Sequence, residues 1–147
     1  MDTLIEGVVL TPLKIIAGDN GNIYHLLRSD APGYISFGEA YISTVKKNAR
    51  KGWKCHTKMV LNIVVPIGEI KFILFDGRSN STTKGAVNEI ILSINNYKRL
   101  TVPPGVWMAL EGMDEENFLI NLASVPHDPS EAQTLDIQSA QVPYEWK

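Results

Sequence analysis

The residues with the clearest chemical potential in this sequence are His56 and the two lysines near it, Lys54 and Lys58. An imidazole titrates near neutral pH and is the usual general base of enzymes. If this segment is extended, Lys58 shares a strand face with His56, because side chains two positions apart point to the same side. A cation there would hold the imidazole neutral and stabilise a developing enolate. The spacing therefore fits proton abstraction beside a carbonyl. It also fits a histidine hydrogen-bonded at a strand end beside a solvated lysine.

Basic and aromatic side chains around this histidine could bind a ligand. The cations between residues 46 and 54 could attract a diphosphate, although such runs are common in solvated loops. Trp53 and Trp107 could stack on a base or a sugar, or could pack in the core. These residues favour an anionic organic ligand, with core packing and solvation as the alternatives.

The sequence does not predict a metal site or a cofactor. His25, His56 and His127 do not have the spacing of metal ligands, and no Cys-x-x-Cys pair occurs. Cys55 is the only cysteine, so it cannot form an intramolecular disulfide. We therefore expect chemistry that uses side chains alone.

Length and composition indicate one globular domain over residues 1–147. Of these 147 residues, 44% are hydrophobic and 20% are charged, which are ordinary globular values. The net charge of −2 argues against a nucleic-acid partner. The amino terminus does not have the basic and apolar regions of a signal peptide, and no stretch is long enough for a membrane span. We expect a cytoplasmic protein with no membrane partner.

The stretch that must position these side chains is residues 53–78. Residues 60–65 are an apolar run rich in β-branched side chains, and residues 69–75 alternate with the period of two that is typical of a strand. Between them, Pro66-Ile67-Gly68 is a turn sequence. The pattern predicts a β-hairpin with His56 at its mouth.

Most of the chain repeats this pattern on a smaller scale. About nine short apolar segments are separated by turn signals, and no window shows a helical stripe. From Ser124 onward the sequence is polar and predicts a loop, with the apolar end from Pro143 to Trp146 packing back on the fold. The pattern predicts an all-β sandwich or barrel.

Several of these segments together resemble the dTDP-4-dehydrorhamnose 3,5-epimerases, and in particular a short-chain branch of that family. The likeness covers residues 18–146 and implies a cupin-like jelly-roll β-barrel. The matching motifs are Trp-x-x-His-x-Lys at residues 53–58, Asp76-Gly77-Arg78, Pro-Pro-Gly-Val-Trp at residues 103–107 and Pro-Tyr-Glu-Trp at residues 143–146.

The resemblance implies catalysis by proton abstraction next to a ketone. His56 matches the family's base, and Lys58 is the nearest match to its enolate-stabilising lysine. The family's acid is a tyrosine, and Ile120 occupies that place here. We expect Tyr144 to complete the catalytic set, with Tyr41, another pocket group or water as the other candidates for the acid.

Two further residues of the family have no match in this sequence. The histidine that follows the family's Pro-Pro-Gly motif is Met108 here, and the carboxylate that pairs with the base belongs to an extension beyond Lys147. We therefore expect the family's carboxylate to be missing. Without the family's tyrosine, inversion at one carbon, C3, is favoured over inversion at both C3 and C5.

The resemblance also implies the substrate, a nucleotide-diphosphate-linked 4-keto-6-deoxy sugar. Arg28 and Lys54 are the candidates for the diphosphate, and Tyr24 is the candidate for the base or ribose. The expected substrate-binding set also includes His25, Trp53 and Trp107. Family members form homodimers by exchanging amino-terminal strands, which residues 1–28 could do here.

We therefore expect a metal-independent isomerase that needs no cofactor. It would be an epimerase that inverts C3, or C3 and C5, of this sugar through an enolate, in deoxysugar or O-antigen biosynthesis. A 3,4-ketoisomerase acting on the same substrate class and a non-catalytic sugar-nucleotide-binding protein are the alternatives. The nucleotide could be dTDP, CDP or GDP.

Overall fold

Two antiparallel sheets of five strands each form the body of the protein. The computed structural model describes residues 3–147, which form twelve strands and one 3₁₀ helix. The 3₁₀ helix spans Pro129–Glu131. The strands are β1 (Val9–Pro12), β2 (Ile15–Ile16), β3 (Ile23–Tyr24), β4 (Glu39–Thr44), β5 (Arg50–His56), β6 (Leu61–Ile67), β7 (Glu69–Asp76), β8 (Val87–Ser93), β9 (Lys98–Val102), β10 (Val106–Gly112), β11 (Phe118–Ala123) and β12 (Ala132–Leu135).

The order of the strands is that of a jelly roll. The first sheet has the order β1-β9-β6-β11-β4, the second has the order β12-β5-β10-β7-β8, and β2 and β3 form a separate hairpin. Consecutive strands from β4 to β7 and from β8 to β11 alternate between the two sheets. The prediction of an all-β, cupin-like jelly roll is therefore confirmed. No helix within residues 3–147 has the length and apolar character needed to cross a bilayer.

Apolar side chains are buried on both sides of the second sheet. Phe72 and Leu74 of β7 belong to the main core between the sheets. Ile73 points the other way, into an outer cluster with Trp53 and Val142 that the carboxy-terminal segment covers. Because the middle of β7 is covered on both faces, residues 72–75 are all apolar, whereas a strand with one solvated face is apolar only at every second position.

The predicted hairpin over residues 60–75 does not form, because its two strands lie in different sheets. β6 pairs with β9 and β11, whereas β7 pairs with β8 and β10. The turn between them has Gly68 at φ +79°. Asn117 holds this turn, since its side-chain oxygen accepts hydrogen bonds from the backbone N–H groups of Glu69 and Asp114. The local pattern predicted the strands and the turn, but their partners come from distant parts of the chain.

The carboxy-terminal segment, predicted as loop from Ser124, contains the 3₁₀ helix and β12. β12 extends the edge of the second sheet by pairing with β5. Its sequence, Ala-Gln-Thr-Leu, is too short and too polar to be marked as a strand by local pattern. Beyond it, the rings of Tyr144 and Trp146 lie 6.4 and 6.2 Å from that of Trp53, which confirms that the chain end packs back on the fold.

Replacing Gly68 with alanine should destabilise the fold more than the same change at Gly85. Both residues have positive φ, +79° and +88°, so each alanine carries a backbone cost of about 1–2 kcal/mol. At Gly68 the new Cβ would also lie 1.9 Å from the carbonyl oxygen of Glu116, whereas nothing lies within 4 Å of a Cβ at Gly85. In urea unfolding, the Gly68→Ala variant should lose at least about 1 kcal/mol more than the Gly85→Ala variant. Equal losses would contradict the close approach of the turn to residues 114–117.

Candidate active site

A β-bulge in β5 determines which of its side chains reach the interior. Lys54 pairs with Met108 of β10 and Lys51 pairs with Leu110, so three steps along β5 match two steps along β10. The extra residue brings Lys51 and Lys54 to the same face, although an odd number of positions separates them. His56 shares that face by ordinary alternation. One face of β5 therefore presents two cations and an imidazole.

These three side chains line a cavity of about 300 Å³ between the two sheets. Strands β5 and β10 of the second sheet form one wall, and β4, β6 and β11 of the first sheet form the other. The opposite wall is a mixture of hydroxyl, amide and apolar groups, contributed by Tyr41, Ser43, Leu61, Ile63, Leu119 and Asn121. Such a cavity suits a polar ligand of small-molecule size. Within residues 3–147 there is no group of three His, Cys, Asp or Glu side chains placed to hold a metal ion.

A buried carboxylate holds the imidazole of His56. Nδ1 of His56 lies 2.7 Å from Oε1 of Glu131, and the Glu131 side chain is only 4% exposed. The other carboxylate oxygen, Oε2, accepts hydrogen bonds from three consecutive backbone N–H groups, those of residues 57–59, at 2.9, 2.9 and 3.0 Å. Both oxygens of this buried carboxylate are therefore satisfied by donors.

These donors keep Glu131 ionised and thereby set the tautomer of His56. Burial has the largest single effect on the Glu131 pKa and raises it, but the hydrogen bonds from Met59, His56 and Lys58 together lower that pKa to about 2. An ionised carboxylate can only accept hydrogen bonds, so Nδ1 of His56 carries a proton. In the neutral ring Nε2 then holds the free lone pair. Glu131 therefore determines both the ring orientation and the tautomer of His56, and this tautomer is the one that a general base requires.

We expected the family's carboxylate to be missing from this chain, but Glu131 supplies a carboxylate partner for His56. Asp128 caps the 3₁₀ helix by accepting a hydrogen bond from the backbone N–H of Ser130 at 3.0 Å, and Glu131 ends that helix. Ala132 then pairs with His56 in the sheet, which places Glu131 beside the imidazole. The Asp-x-x-Glu spacing is a helix-start signal that the sequence did contain. No local signal showed that the following residues would pair with β5.

Lys58 does not share a face with His56, because β5 ends at His56. Over residues 57–59 the chain turns its N–H groups toward Glu131, and the side chain of Lys58 is exposed at a separate hollow that Asp128 also borders. The backbone N–H of Lys58 therefore donates a hydrogen bond to the Glu131 carboxylate, whereas its ammonium does not line the cavity. The prediction that these two residues share a strand face is wrong.

The two lysines that do line the cavity differ in their contacts. Nζ of Lys51 donates a hydrogen bond to Oγ of Ser43 at 2.7 Å and so reaches the opposite sheet. The ammonium of Lys54 has no hydrogen bond or ion pair to another side chain in the described part of the chain, residues 3–147. Lys54 is therefore the cation available to a ligand.

Three expected site residues lie away from the cavity, on the outer side of the second sheet. Trp53 is 2% exposed and packs in the outer cluster, and Trp107 packs against the same cluster. Tyr144 donates a hydrogen bond to Glu89, and burial together with this carboxylate raises the pKa of its hydroxyl well above the usual range. Alternation explains the placement of Trp53, since residues 53 and 56 face opposite sides of β5 beyond the bulge.

The amino-terminal candidates also lie apart from the cavity of their own chain. Tyr24 ends β3 and packs edge-on against Tyr97, with 5.7 Å between ring centroids. His25 and Arg28 border a different hollow of about 250 Å³ beside β1. Arg28 forms a two-point ion pair with Asp30, both partners being exposed. Within one chain, none of these three candidates lines the cavity that His56 lines.

The chain is similar to known proteins over nearly its full length. It is 33% identical to a dTDP sugar isomerase from Desulfovibrio desulfuricans, over 99% of this chain and 95% of that one, with a TM-score of 0.93. It is 25% identical over 127 residues, 84% of this chain and 81% of the relative, to a probable low-salt glycan biosynthesis epimerase of Haloferax volcanii. ChmJ, a 3′-monoepimerase from Streptomyces bikiniensis, has the same fold, with a TM-score of 0.87 at 17% identity over 99% of this chain and 78% of its own. No protein-family model matches the chain.

The ionisation of Glu131 should contribute a pH-dependent share of stability. Its pKa falls from 4.5 to about 2 on folding, so the ionised group stabilises the fold above about pH 4.5, and this contribution is lost as the pH falls toward 2. Between pH 6 and pH 3 the wild type should lose about 2 kcal/mol through this group. The free energy of unfolding of a Glu131→Gln variant, measured in urea between pH 6 and pH 3, should fall by about 2 kcal/mol less than that of the wild type.

The control for this experiment is Glu116→Gln, because Glu116 is an exposed carboxylate. Its free energy of unfolding should run parallel to that of the wild type across the pH range. If the free energy of unfolding of Glu131→Gln also changes with pH as that of the wild type does, Glu131 is not held ionised by its donors.

Proposed function

Because this chain belongs to the family of dTDP-sugar isomerases and epimerases that resemble the dTDP-4-dehydrorhamnose 3,5-epimerases, we propose that it inverts C3 of a nucleotide-linked 4-keto-6-deoxyhexose. The observation that carries this proposal is the pair of His56 and Glu131 at the wall of the cavity. A base of fixed tautomer beside a cation without a protein partner is what proton removal next to a ketone requires.

In the proposed reaction Nε2 of His56 takes the proton from C3, the carbon next to the C4 carbonyl. The electron pair of the broken C–H bond forms a C3–C4 double bond, and the carbonyl electron pair moves to the oxygen to give an enolate. A proton returned to the other face of C3 restores the carbonyl and gives the epimer. Glu131 stabilises the imidazolium formed in the first step, since its oxygen lies 2.7 Å from Nδ1.

Lys54 takes the role of enolate-stabilising cation that the sequence suggested for Lys58. Its ammonium lines the same cavity as His56 and has no side-chain partner among residues 3–147. Lys51 also lines the cavity, but its ammonium is already bound to Ser43. A positive charge at the enolate oxygen lowers the barrier most in a site from which water is largely excluded.

We further propose a homodimer in which Tyr24, His25 and Arg28 of one subunit bind the nucleotide at the cavity of the other. These side chains lie away from the cavity of their own chain. The β2–β3 hairpin also exposes apolar side chains, among them Ile23 at 62%, and exposed apolar surface commonly marks an interaction site. The segment expected to cross is residues 1–28, of which Met1 and Asp2 lie outside the described residues.

The names of the relatives indicate which nucleotide to test first. The Desulfovibrio protein is named as a dTDP sugar isomerase, and ChmJ was crystallised with dTDP-quinovose. We therefore propose a dTDP-linked substrate, with the CDP- and GDP-linked sugars as comparisons. The Haloferax relative is named for glycan biosynthesis. The product would accordingly enter the cytoplasmic supply of deoxysugars for a surface glycan, such as an O-antigen.

A 3,4-ketoisomerase is the second candidate, because the 33% identical relative is named an isomerase. The same base and the same cation would then move the carbonyl along the ring through the enolate. The two activities differ in the product, which has an inverted carbon in one case and a relocated ketone in the other. NMR of the product distinguishes them.

Replacing His56 with asparagine should abolish most of the catalysis and preserve binding. Asparagine keeps part of the shape and hydrogen bonding but cannot take up a proton near neutral pH. Turnover should fall by about 10²–10⁴, while the affinity for dTDP should stay near that of the wild type. The measurement is solvent deuterium exchange into C3 of the 4-keto sugar nucleotide, followed by NMR.

The control in this experiment is Lys58→Gln, which removes a cation that points away from the cavity and should exchange deuterium at nearly the wild-type rate. A His56→Asn variant that exchanges as fast as the wild type would refute the base assignment. A wild-type protein that binds dTDP and leaves the sugar protons untouched would identify a binding protein instead.

Mixing His56→Asn chains, which lack the base, with Arg28→Ala chains, which lack a nucleotide contact, should restore activity at substrate concentrations well below saturation if the nucleotide site is shared between subunits. A mixed dimer of His56→Asn and Arg28→Ala chains has one cavity with an intact base and an intact arginine from the partner. Random exchange of subunits should restore about a quarter of wild-type turnover, because half of the dimers are mixed and each has one complete site. Each variant alone serves as the control.

No recovery in the mixture, with native mass spectrometry showing that mixed dimers have formed, would place Arg28 at the cavity of its own chain or at none. A monomer in light scattering at micromolar concentration would contradict the dimer itself.

A further inference from the structure

Inversion of a carbon requires a second group that delivers a proton to the face opposite the base. By its resemblance to the epimerase family, the chain has Ile120 at the position of that family's acid, and an isoleucine cannot donate a proton. In the structure, moreover, Ile120 is only partly buried and alternates with Leu119 and Asn121, which line the cavity. The side chain of β11 that faces the cavity near this point is therefore Asn121, an amide that holds no acidic proton.

A hydroxyl lies next to that amide on the neighbouring strand. Tyr41 of β4 is the direct register partner of Asn121 of β11, and both line the cavity. His56 lines the same cavity from β5, which belongs to the opposite sheet. A ligand between the sheets would therefore have the imidazole on one side and the Tyr41 hydroxyl on the other.

The hydrogen bonds of Asn121 determine which way the Tyr41 proton can point. The Oδ1 atom of Asn121 accepts the backbone N–H of Asn62 at 3.2 Å, so its Nδ2 is turned toward Tyr41 and donates to the phenolic oxygen at 2.9 Å. An amide nitrogen only donates, so the proton of Tyr41 is not used in this contact. It remains free to point to a ligand. The amide also stabilises the phenolate that would remain after the proton leaves.

We infer that Tyr41 is the general acid that protonates C3 on the face opposite His56, an assignment that rests on the proposed epimerase function. In this step the O–H bond of Tyr41 breaks and its proton forms the new C–H bond at C3, while the enolate electrons close the carbonyl. Tyr41 is 44% exposed, so water returns a proton to its phenolate. The imidazolium of His56 releases the abstracted proton to solvent, and both groups are restored.

This assignment makes inversion depend on Tyr41 and proton abstraction depend on His56. If Tyr41 is removed, the enolate can still form and can be reprotonated by His56 on its original face. The substrate then exchanges its C3 proton with solvent but keeps its configuration. The ratio of exchange to inversion therefore reports on the acid alone.

The test is Tyr41→Phe in deuterated solvent with the 4-keto sugar nucleotide, with exchange and product followed in one NMR experiment. Deuterium exchange into unreacted substrate should remain within several-fold of the wild type, while formation of the epimer should fall by about 10²-fold or more. Tyr144→Phe is the matched control, because Tyr144 is also partly exposed but lies on the outer side of the second sheet. It should invert at the wild-type rate.

A second variant tests the role of the amide. In Asn121→Asp the carboxylate would accept the Tyr41 proton instead of donating to its oxygen, which diverts the proton from the ligand. Inversion should again fall relative to exchange, and the pH profile of inversion should change while that of exchange does not.

The outcomes distinguish this assignment from the proposed function. A Tyr41→Phe variant that inverts C3 as fast as the wild type overturns Tyr41 as the acid and leaves the epimerase intact. A Tyr41→Phe variant that loses exchange and inversion in equal proportion overturns it as well. A wild-type protein that neither exchanges nor inverts C3 of any such substrate overturns the proposed function and this assignment together.

Discussion

The site depends on the hydrogen bonds that the buried carboxylate of Glu131 accepts. A carboxylate that is removed from water is costly unless donors replace the water, and here three backbone N–H groups and the imidazole of His56 do so. This side chain holds the turn at residues 57–59 that follows β5, and the residue after it begins the pairing of β12 with β5. Glu131 also orients the imidazole and decides which ring nitrogen keeps its lone pair. The turn needed to bring these N–H groups together is the reason that Lys58 points away from the cavity.

The inner face of β5 lines the cavity, and its outer face packs against the carboxy-terminal segment. On the inner face, Lys51, Lys54 and His56 line the cavity. On the outer face, Trp53 and Trp146 pack together, and the guanidinium of Arg50 lies 4.7 Å from the Trp146 ring while it pairs with a carboxylate of β10. The carboxy-terminal segment therefore stabilises the strand that carries the base from the side that the ligand does not reach. A general base must be held within a fraction of an ångström of its working geometry, and the packing of the carboxy-terminal segment on the outer face of β5 helps to hold the strand in place.

The proposed base and the proposed acid come from different sheets. The imidazole is attached to the second sheet, while Tyr41 and Asn121 belong to the first, and the main core holds the two sheets at a constant separation. The relatives indicate the class of reaction, and the geometry of this chain supports the roles proposed for its residues. The carboxylate comes from the end of a 3₁₀ helix, the free cation is Lys54, and the hydroxyl is supplied by β4.

What the sequence determined by itself is the set of local properties. Period-two alternation and turn residues predicted an all-β fold, and the motif around Trp53 and His56 pointed to the histidine that lines the cavity. The tertiary structure decided everything that depends on pairing between distant strands. Glu131 meets His56 across 75 positions, Tyr41 meets Asn121 across 80, and the two predicted hairpin strands lie in opposite sheets. One extra residue in β5 also reverses the face of Lys51, and no periodic pattern contains that information. The side of the sheet to which a side chain points depends on the register between paired strands, and that register is determined only when the two strands pair.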